Sequence, residues 1–414
     1  MMKEIKPEDN NPLAELKNNF WKAMNLFRGF IDVKDYSFIL YLLLLNRNGI
    51  FKDFIFSDEY DLKQQFESKL QNLNGETGEF LKDIYRLYPN TLKHLNPGLL
   101  HELFKFITSI DQNVLENHFG EIFDDLLFML SKWQGRFAGE FMLPLELSRF
   151  VCGLAELPPN AKVYNPFSGA ASFGTCLDND KFYIGQESNF SLWAIGKMRI
   201  IAHDRERNSK LFFSDSIHDW NPTKKVESSK PEDILLYTST KDKFDLIISN
   251  PPFGVRISSP INGQFGSIRN FEQFLIENGL ADLKHDGKLI AVLPQRFLFS
   301  AGTDKILRQF LVDNDLLEKV ISFPSGLLIH TGVSLAVIVL NKNKKEKGVV
   351  RFIDAKQCVE ITSARERHLN DKLLSNIVKS SLESESLRII SNSTISSFEY
   401  NLDVPRYFLK NTME

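Results

Sequence analysis

Cysteine is scarce in this chain. There are three in 414 residues, Cys152, Cys176 and Cys358. They share no ligand spacing, so neither a disulfide framework nor a thiolate metal site is expected, and they suit a reducing cytoplasm. Long apolar runs are missing as well. The longest, Phe38 through Leu45, falls well short of the roughly 20 residues a membrane-crossing helix needs, and reads as a buried helix. Lys3, Glu4, Ile5 and Lys6, with Glu8 and Asp9 behind them, do not make a secretory signal. A basic excess is also absent: 50 Lys and Arg stand against 53 Asp and Glu, for a formal charge of −3. A lone nucleic-acid binder is usually basic, so any such contact needs a local patch or a partner chain. Internal repeats, low-complexity linkers, Ser/His/Asp or Cys/His nucleophile arrangements and metal-ligand clusters are not visible.

What is present is ordinary globular material, 43% hydrophobic and 25% charged, in a length that allows two or three domains. Residues 1–133 read as helical: Leu13, Leu16, Phe20, Ala23, Met24 and Phe27 recur at helical spacing, as do Phe66, Leu70, Phe80, Ile84 and Leu87. Asn46-Arg47-Asn48-Gly49, Asn74-Gly75 and Pro97-Gly98 separate the helices. Residues 134–355 change to short β-branched or aromatic runs alternating with helices. The candidate strands are 162–164, 182–185, 211–213, 244–249, 289–293, 319–323, 334–340 and 349–353, with helices over 190–202 and 268–283 among them. Such alternation implies an α/β fold with a mostly parallel, Rossmann-like sheet. The short links late in the series imply at least one antiparallel strand. The basic stretch Lys342–Lys347 is expected as the solvated tip of a hairpin, and residues 356–414 as polar helix and loop, a carboxyl-terminal helical tail.

Chemistry-bearing residues cluster at the ends of four of these strands. After 244–249 comes Asn250-Pro251-Pro252-Phe253. The carboxyl end of a strand is where open α/β sheets bind ligands. An Asn oxygen accepts an N–H bond, proline brings no N–H, and an aromatic ring offers a stacking face. Together they suit a planar group bearing an exocyclic NH₂. After the first strand, Asn165 to Phe173 forms a turn with Gly169 and small neighbours, where backbone can approach a ligand. Gly185-Gln186-Glu187 ends the second strand, with an acid placed to take both hydroxyls of a ribose, or merely to sit at a helix N-terminus. Ser214-Asp215 follows the third, either accepting from an adenine amino group or capping a helix. Each is weak alone; four in one sheet are hard to obtain by chance.

Taken together, these segments resemble N6-adenine DNA methyltransferases, and most closely the modification (M) subunit of type I restriction–modification systems. Gly139-Glu140-Phe141 through Pro144 resembles the family's Gly-Glu-Phe-x-Thr-Pro segment, and Asn165 to Phe173 its Asp-Pro-x-x-Gly-Ser-Gly-Gly-Phe loop. Gly185-Gln186-Glu187-Ser188-Asn189 through His203 resembles its Gly-x-Glu-x-Asn…His helix. Pro324 through Thr331-Gly332 and Leu340-Asn341-Lys342 resemble its late sheet, and Asn401 through Tyr407 its carboxyl-terminal signature. The resemblance implies S-adenosylmethionine as cofactor, held by Phe141, Pro144, Asn165, Phe167, Gly169, Glu187 and Asp215, with a flipped adenine at Asn250, Pro251, Pro252 and Phe253. Leu143, Asn165, Ala171 and Ser172 depart from the family's Thr, Asp and two glycines, so the methyl-donor side differs from the pattern while the target side matches it.

The Asn-Pro-Pro-aromatic motif also occurs in enzymes that methylate glutamine in proteins or guanine N2 in RNA, and a catalytically silent DNA- or partner-binding module would keep the same fold. The segment ahead of the sheet, the helical amino-terminal region and the carboxyl-terminal signature favour double-stranded DNA. No insertion on the order of 100 residues follows the catalytic strands, so sequence readout is expected in trans. The resemblance implies a specificity (S) subunit, a second M subunit and a restriction (R) motor-nuclease subunit as partners. The helical region 1–133 and the segment 356–414 are expected to clamp DNA and to dock the specificity subunit.

Overall fold

The computed structural model describes residues 12–26, 28–30, 33–56, 61–116, 118–134, 143–222, 243–328, 332–363, 366–380 and 382–409. Two compact units emerge: residues 1–139 with 197–206, and residues 140–196 with 207–414. Among the described residues no helix is long and apolar enough to cross a membrane.

The first unit is helical. Its centre is the helix Ser37–Arg47, in which Phe38 to Leu45 are all at most 1% exposed. A helix apolar on every face must be enclosed by others, and the helices Pro12–Leu26, Leu62–Gln71, Gly75–Tyr85, Pro97–Thr108 and Phe119–Gln134 belong to the same unit. Several polar groups inside it are paired. Tyr41 donates to the Leu81 carbonyl at 2.9 Å and Asn46 to that of Ile107 at 2.7 Å. Asp124, 6% exposed, accepts from Arg199 Nε at 2.7 Å and NH2 at 3.0 Å, with His203 Nε2 3.1 Å away. Burial alone would raise the Asp124 carboxyl; the Arg199 charge and the His203 and Arg199 hydrogen bonds outweigh it and hold the group well below the usual range.

The second unit is built on a nine-stranded sheet. Its strands are β1 (Lys162–Asn165), β2 (Phe182–Glu187), β3 (Ser209–Phe213), β4 (Phe244–Ser249), β7 (Leu283–Pro294), β8 (Leu317–Ser322), β9 (Leu335–Asn341), β10 (Val349–Asp354) and β13 (Leu387–Ser391). Between β4 and β7 lies a hairpin, β5 (Arg256–Gly263) with β6 (Gly266–Asn270); β11 (Val359–Ser363) and β12 (Glu366–Leu369) form a second. The order across the sheet is β13-β10-β8-β9-β7-β4-β1-β2-β3. The chain steps outward from β1 to β3, then returns to place β4 on the other side of β1. The crevice between β1 and β4 is therefore the topological switch point, open at the carboxyl ends. β4, β7 and β9 are central, and Ile247, Leu289 to Leu293 and Leu335 to Leu340 are all 0% exposed. Strands buried on both faces read as continuous apolar runs.

The expected antiparallel strand is β9, which runs against both β7 and β8. Lys342–Lys347 is not a hairpin tip: β9 and β10 are not neighbours, because β8 lies between them. Nor is it fully solvated. Lys344 is 1% exposed and donates to the carbonyls of Leu317 at 3.0 Å and Val349 at 2.8 Å, where its charge also meets Asp315. The helix expected from Ile268 starts at Phe271, because Asn270 Oδ1 accepts the Gln273 N–H at 2.7 Å and residues 266–270 are taken by β6. The last segment holds the helices Asp371–Lys379 and Asn392–Ser397, but it adds β11, β12 and β13, and β13 pairs antiparallel with β10 at the sheet's edge. The strand is short, five residues of which Leu387, Ile389 and Ile390 are apolar, and its partner β10 is distant in sequence.

Replacing Asp124 by Asn leaves the buried Arg199 without its counter-charge. At pH 7 the variant is expected to lose about 3–5 kcal/mol in urea unfolding followed by circular dichroism. Because the folded carboxyl is depressed, the wild-type advantage is present above the unfolded carboxylate pKa of about 4. It should shrink as pH falls from there toward the folded value.

Candidate functional site

One side chain at the end of β1 ties it to the end of β4 and to the second residue of β2. Asn165, 1% exposed, accepts the Ser249 hydroxyl at 2.8 Å and the Phe167 N–H at 3.2 Å through Oδ1, and donates from Nδ2 to the Tyr183 hydroxyl at 3.1 Å. Its polar atoms are engaged within the framework, so it supports the site from beneath instead of lining it. A second buried tie was not foreseen from the sequence. Gln186, 0% exposed, accepts from the Tyr164 hydroxyl at 2.6 Å and donates to Ser214 Oγ at 2.9 Å and the Asp219 carbonyl at 2.8 Å. It joins β1 and β2 to the turn after β3. The available signal was a polar residue inside a buried strand, which must find partners. Ser216 adds a hydrogen bond to the Pro166 carbonyl.

Above these ties lies a cavity of about 280 Å³, lined by Phe167, Glu187, Asp215 and Pro252 of the expected residues. Its further wall comes from the start of β5, Val255 to Ser259, and from Phe271. That hairpin had no periodic signal, since six of eight β5 residues are Arg, Ser, Pro, Asn or Gly. Glu187 is held by backbone: Oε2 accepts from the Gly169 N–H at 2.9 Å and Oε1 from that of Asn189 at 2.7 Å. Burial pushes its carboxyl up, against these backbone bonds, and the charge of nearby Asp215 adds to the rise. Each oxygen keeps a second lone pair for a ligand. Asp215 accepts from the Ile217 N–H at 2.9 Å and meets His218 Nδ1 at 2.8 Å.

Gly169 sits beneath Glu187 with φ +53°, the left-handed region that favours glycine. Ala171 also takes φ +56° while 0% exposed, a conformation that costs an L-residue roughly 1–2 kcal/mol. The loop is pressed against the helix Phe190–Ala202, where a methyl group added at Gly196 would come within 3.3 Å of the Gly169 carbonyl oxygen. Pro144 precedes the helix Leu145–Gly153 as its N-cap, and Phe141 lies outside the described residues. Neither Gly169, Pro144 nor Asn165 lines the cavity.

The end of β4 differs from that of β1. Asn250 Oδ1 is buried and has no hydrogen-bond partner. Pro251 is buried, Pro252 and Phe253 are half-buried, and Gly254 turns the chain away at φ +70°. A buried acceptor without a donor is costly by about 1–3 kcal/mol. Its place beside a proline without N–H suits an incoming N–H donor. Two carboxylates suited to a ribose and an amino group, a loop with left-handed backbone and this vacant acceptor fit a nucleoside-bearing methyl donor on one side and a planar amine on the other.

A family model described as N-6 DNA methylase matches residues 115–414. The chain is 23% identical over 384 residues to a type I restriction enzyme MpnII methylase subunit of Mycoplasma pneumoniae, covering 84% of this chain and 69% of that one. It is 25% identical over 297 residues to a type I restriction enzyme MjaVIII methylase subunit of Methanocaldococcus jannaschii, covering 65% of this chain but only 49% of that one. The fold matches a type I restriction–modification methyltransferase subunit from Streptococcus thermophilus with a TM-score of 0.71 at 18% identity, over 95% of this chain and 99% of that one.

Replacing Gln186 by Leu is expected to strand the Tyr164 hydroxyl and the Asp219 carbonyl inside the fold. The expected loss is about 2–3 kcal/mol in chemical denaturation.

Proposed function

This chain belongs to the N-6 DNA methylase family, and we propose that it transfers a methyl group to N6 of an adenine turned out of double-stranded DNA, as the modification subunit of a type I restriction–modification complex. The single observation that carries this reading is the buried, unpartnered Asn250 Oδ1 at the end of β4. S-adenosylmethionine, when bound, supplies a methyl group on a positively charged sulfur. Glu187 and Asp215 fit its ribose hydroxyls and adenine amino group, and Phe167 and Pro252 give apolar walls.

The amine of adenine is a poor nucleophile because its lone pair is delocalised into the ring. Asn250 Oδ1 and the Pro251 carbonyl accept its two N–H bonds and let the nitrogen move toward tetrahedral geometry, so the lone pair is freed without prior loss of a proton. This is positioning and electrostatic preorganisation rather than general-base catalysis. Phe253, half-buried at the turn, offers the stacking face that replaces the lost base neighbours.

The relatives are named as subunits of type I restriction enzymes, which supports action within a multi-chain complex; the partners the resemblance implies are a specificity subunit that reads the DNA sequence, a second modification subunit and a restriction subunit. The helical region 1–133 serves DNA clamping and partner contacts, residues 134–355 the chemistry, and residues 356–414 docking of the specificity subunit. The three free cysteines suit action in the cytoplasm.

With a co-purified specificity partner, Asn250→Ala is expected to abolish N6-methyladenine formation while S-adenosylmethionine affinity, measured by calorimetry, stays within about twofold. Glu187→Ala is expected to weaken that affinity by about tenfold or more. Near-normal methylation by the Asn250 variant would remove the assignment, and unchanged affinity would take Glu187 out of the cofactor site.

A further inference from the structure

Arg296 in the turn after β7 and Glu272 in the helix before β7 form a polar pair that methyl transfer itself does not use. Glu272 is 2% exposed, and neither of its carboxylate oxygens has a hydrogen-bond partner. A buried carboxylate in that condition needs a cation nearby. Arg296 provides one, with NH2 3.6 Å from Glu272 Oε1 while its own side chain is 57% exposed. One side of the guanidinium is thus anchored from within, and donors remain for a ligand in solvent.

The placement points to the substrate. Glu272 lies in the first turn of the helix Phe271–Asp282, directly after Phe271, which lines the cavity. Arg296 lies two residues beyond Pro294, the last of β7. β7 is the parallel neighbour of β4, with Ser249 opposite Ala291, so Asn250 and Arg296 leave the same edge of adjacent strands. The Arg296 turn is also held firmly. Arg308, 2% exposed, donates to the carbonyls of Phe297 and Ser300 at 2.7 Å each and to that of Tyr400 at 2.9 Å. Asp304 accepts from Ser300 Oγ and from Asn270 Nδ2, the latter at 3.2 Å, which ties the turn to the start of the Glu272 helix.

We propose that Arg296, positioned by the buried Glu272 carboxylate, grips a backbone phosphate of the strand that carries the target adenine. The proposal rests on the reading of the preceding subsection. A base turned out of the stack brings its flanking phosphates to the mouth of the site. A chain with a net charge of −3 repels them unless cations are placed locally. A guanidinium fork fixed on one side matches phosphate geometry better than a free lysine does.

The test uses the complex with the co-purified specificity partner. Arg296→Ala is expected to raise the KM for DNA about tenfold and to leave kcat within about twofold. It should also lower the slope of log affinity against log salt concentration by about 1. Arg296→Lys restores the salt slope but only part of the affinity. Glu272→Gln raises the KM for DNA without changing S-adenosylmethionine affinity. An unchanged KM and salt slope in Arg296→Ala overturns the proposal, and so does loss of specificity-partner binding in its place. Asn250→Ala, run alongside, isolates the other reading: retained methylation there defeats the adenine assignment, whatever Arg296 does.

Discussion

The side-chain amide of Asn165 is the tie on which the site depends. Strands β1, β2 and β4 are hydrogen-bonded along their lengths, but a ladder does not fix how their side chains meet. Asn165 does so by accepting from Ser249 on β4 and donating to Tyr183 on β2, from a position 1% exposed. Both functions of the amide are in use, its oxygen accepting and its N–H donating. Asn165 is thereby a structural bridge within the sheet. With the edge so held, Asn250 one residue past Ser249 can keep an acceptor without a donor. Its cost is carried by a strand whose Leu246, Ile247 and Ile248 are fully buried.

The same economy of partners runs through the cofactor side. Glu187 is bound by two backbone N–H groups before any ligand arrives, so its direction is set by the Gly169 loop. That loop is in turn set by left-handed backbone at Gly169 and Ala171 and by the close approach of Gly196. Ala171 accepts the strain that glycine avoids, yet it keeps the conformation, because its methyl group is enclosed.

Much of the sheet was legible because strands buried on both faces are written as apolar runs: Ile247 and Ile248, Leu289 to Leu293, and Leu335 to Leu340 need no context. The central helix Ser37–Arg47 was legible for the same reason. The β5–β6 hairpin was not, since its residues are mostly polar, and neither was β13, a short strand whose pairing depends on the distant β10. Lys344 was misread because a lysine in a basic run ordinarily faces water, and only the fold supplies the carbonyls of Leu317 and Val349 that enclose it.

By itself the sequence determined the alternating architecture, the carboxyl-end clusters and the four residues suited to a planar amine, because these rest on local composition and on spacing along one chain. Only the tertiary structure decided which of two similar asparagines is engaged and which is vacant. Asn165 and Asn250 each end a buried strand, and nothing local distinguishes their amides. Whether an acceptor is filled depends on the donors the fold brings to it: the Ser249 hydroxyl and the Phe167 N–H reach Asn165 Oδ1, and none reaches Asn250 Oδ1.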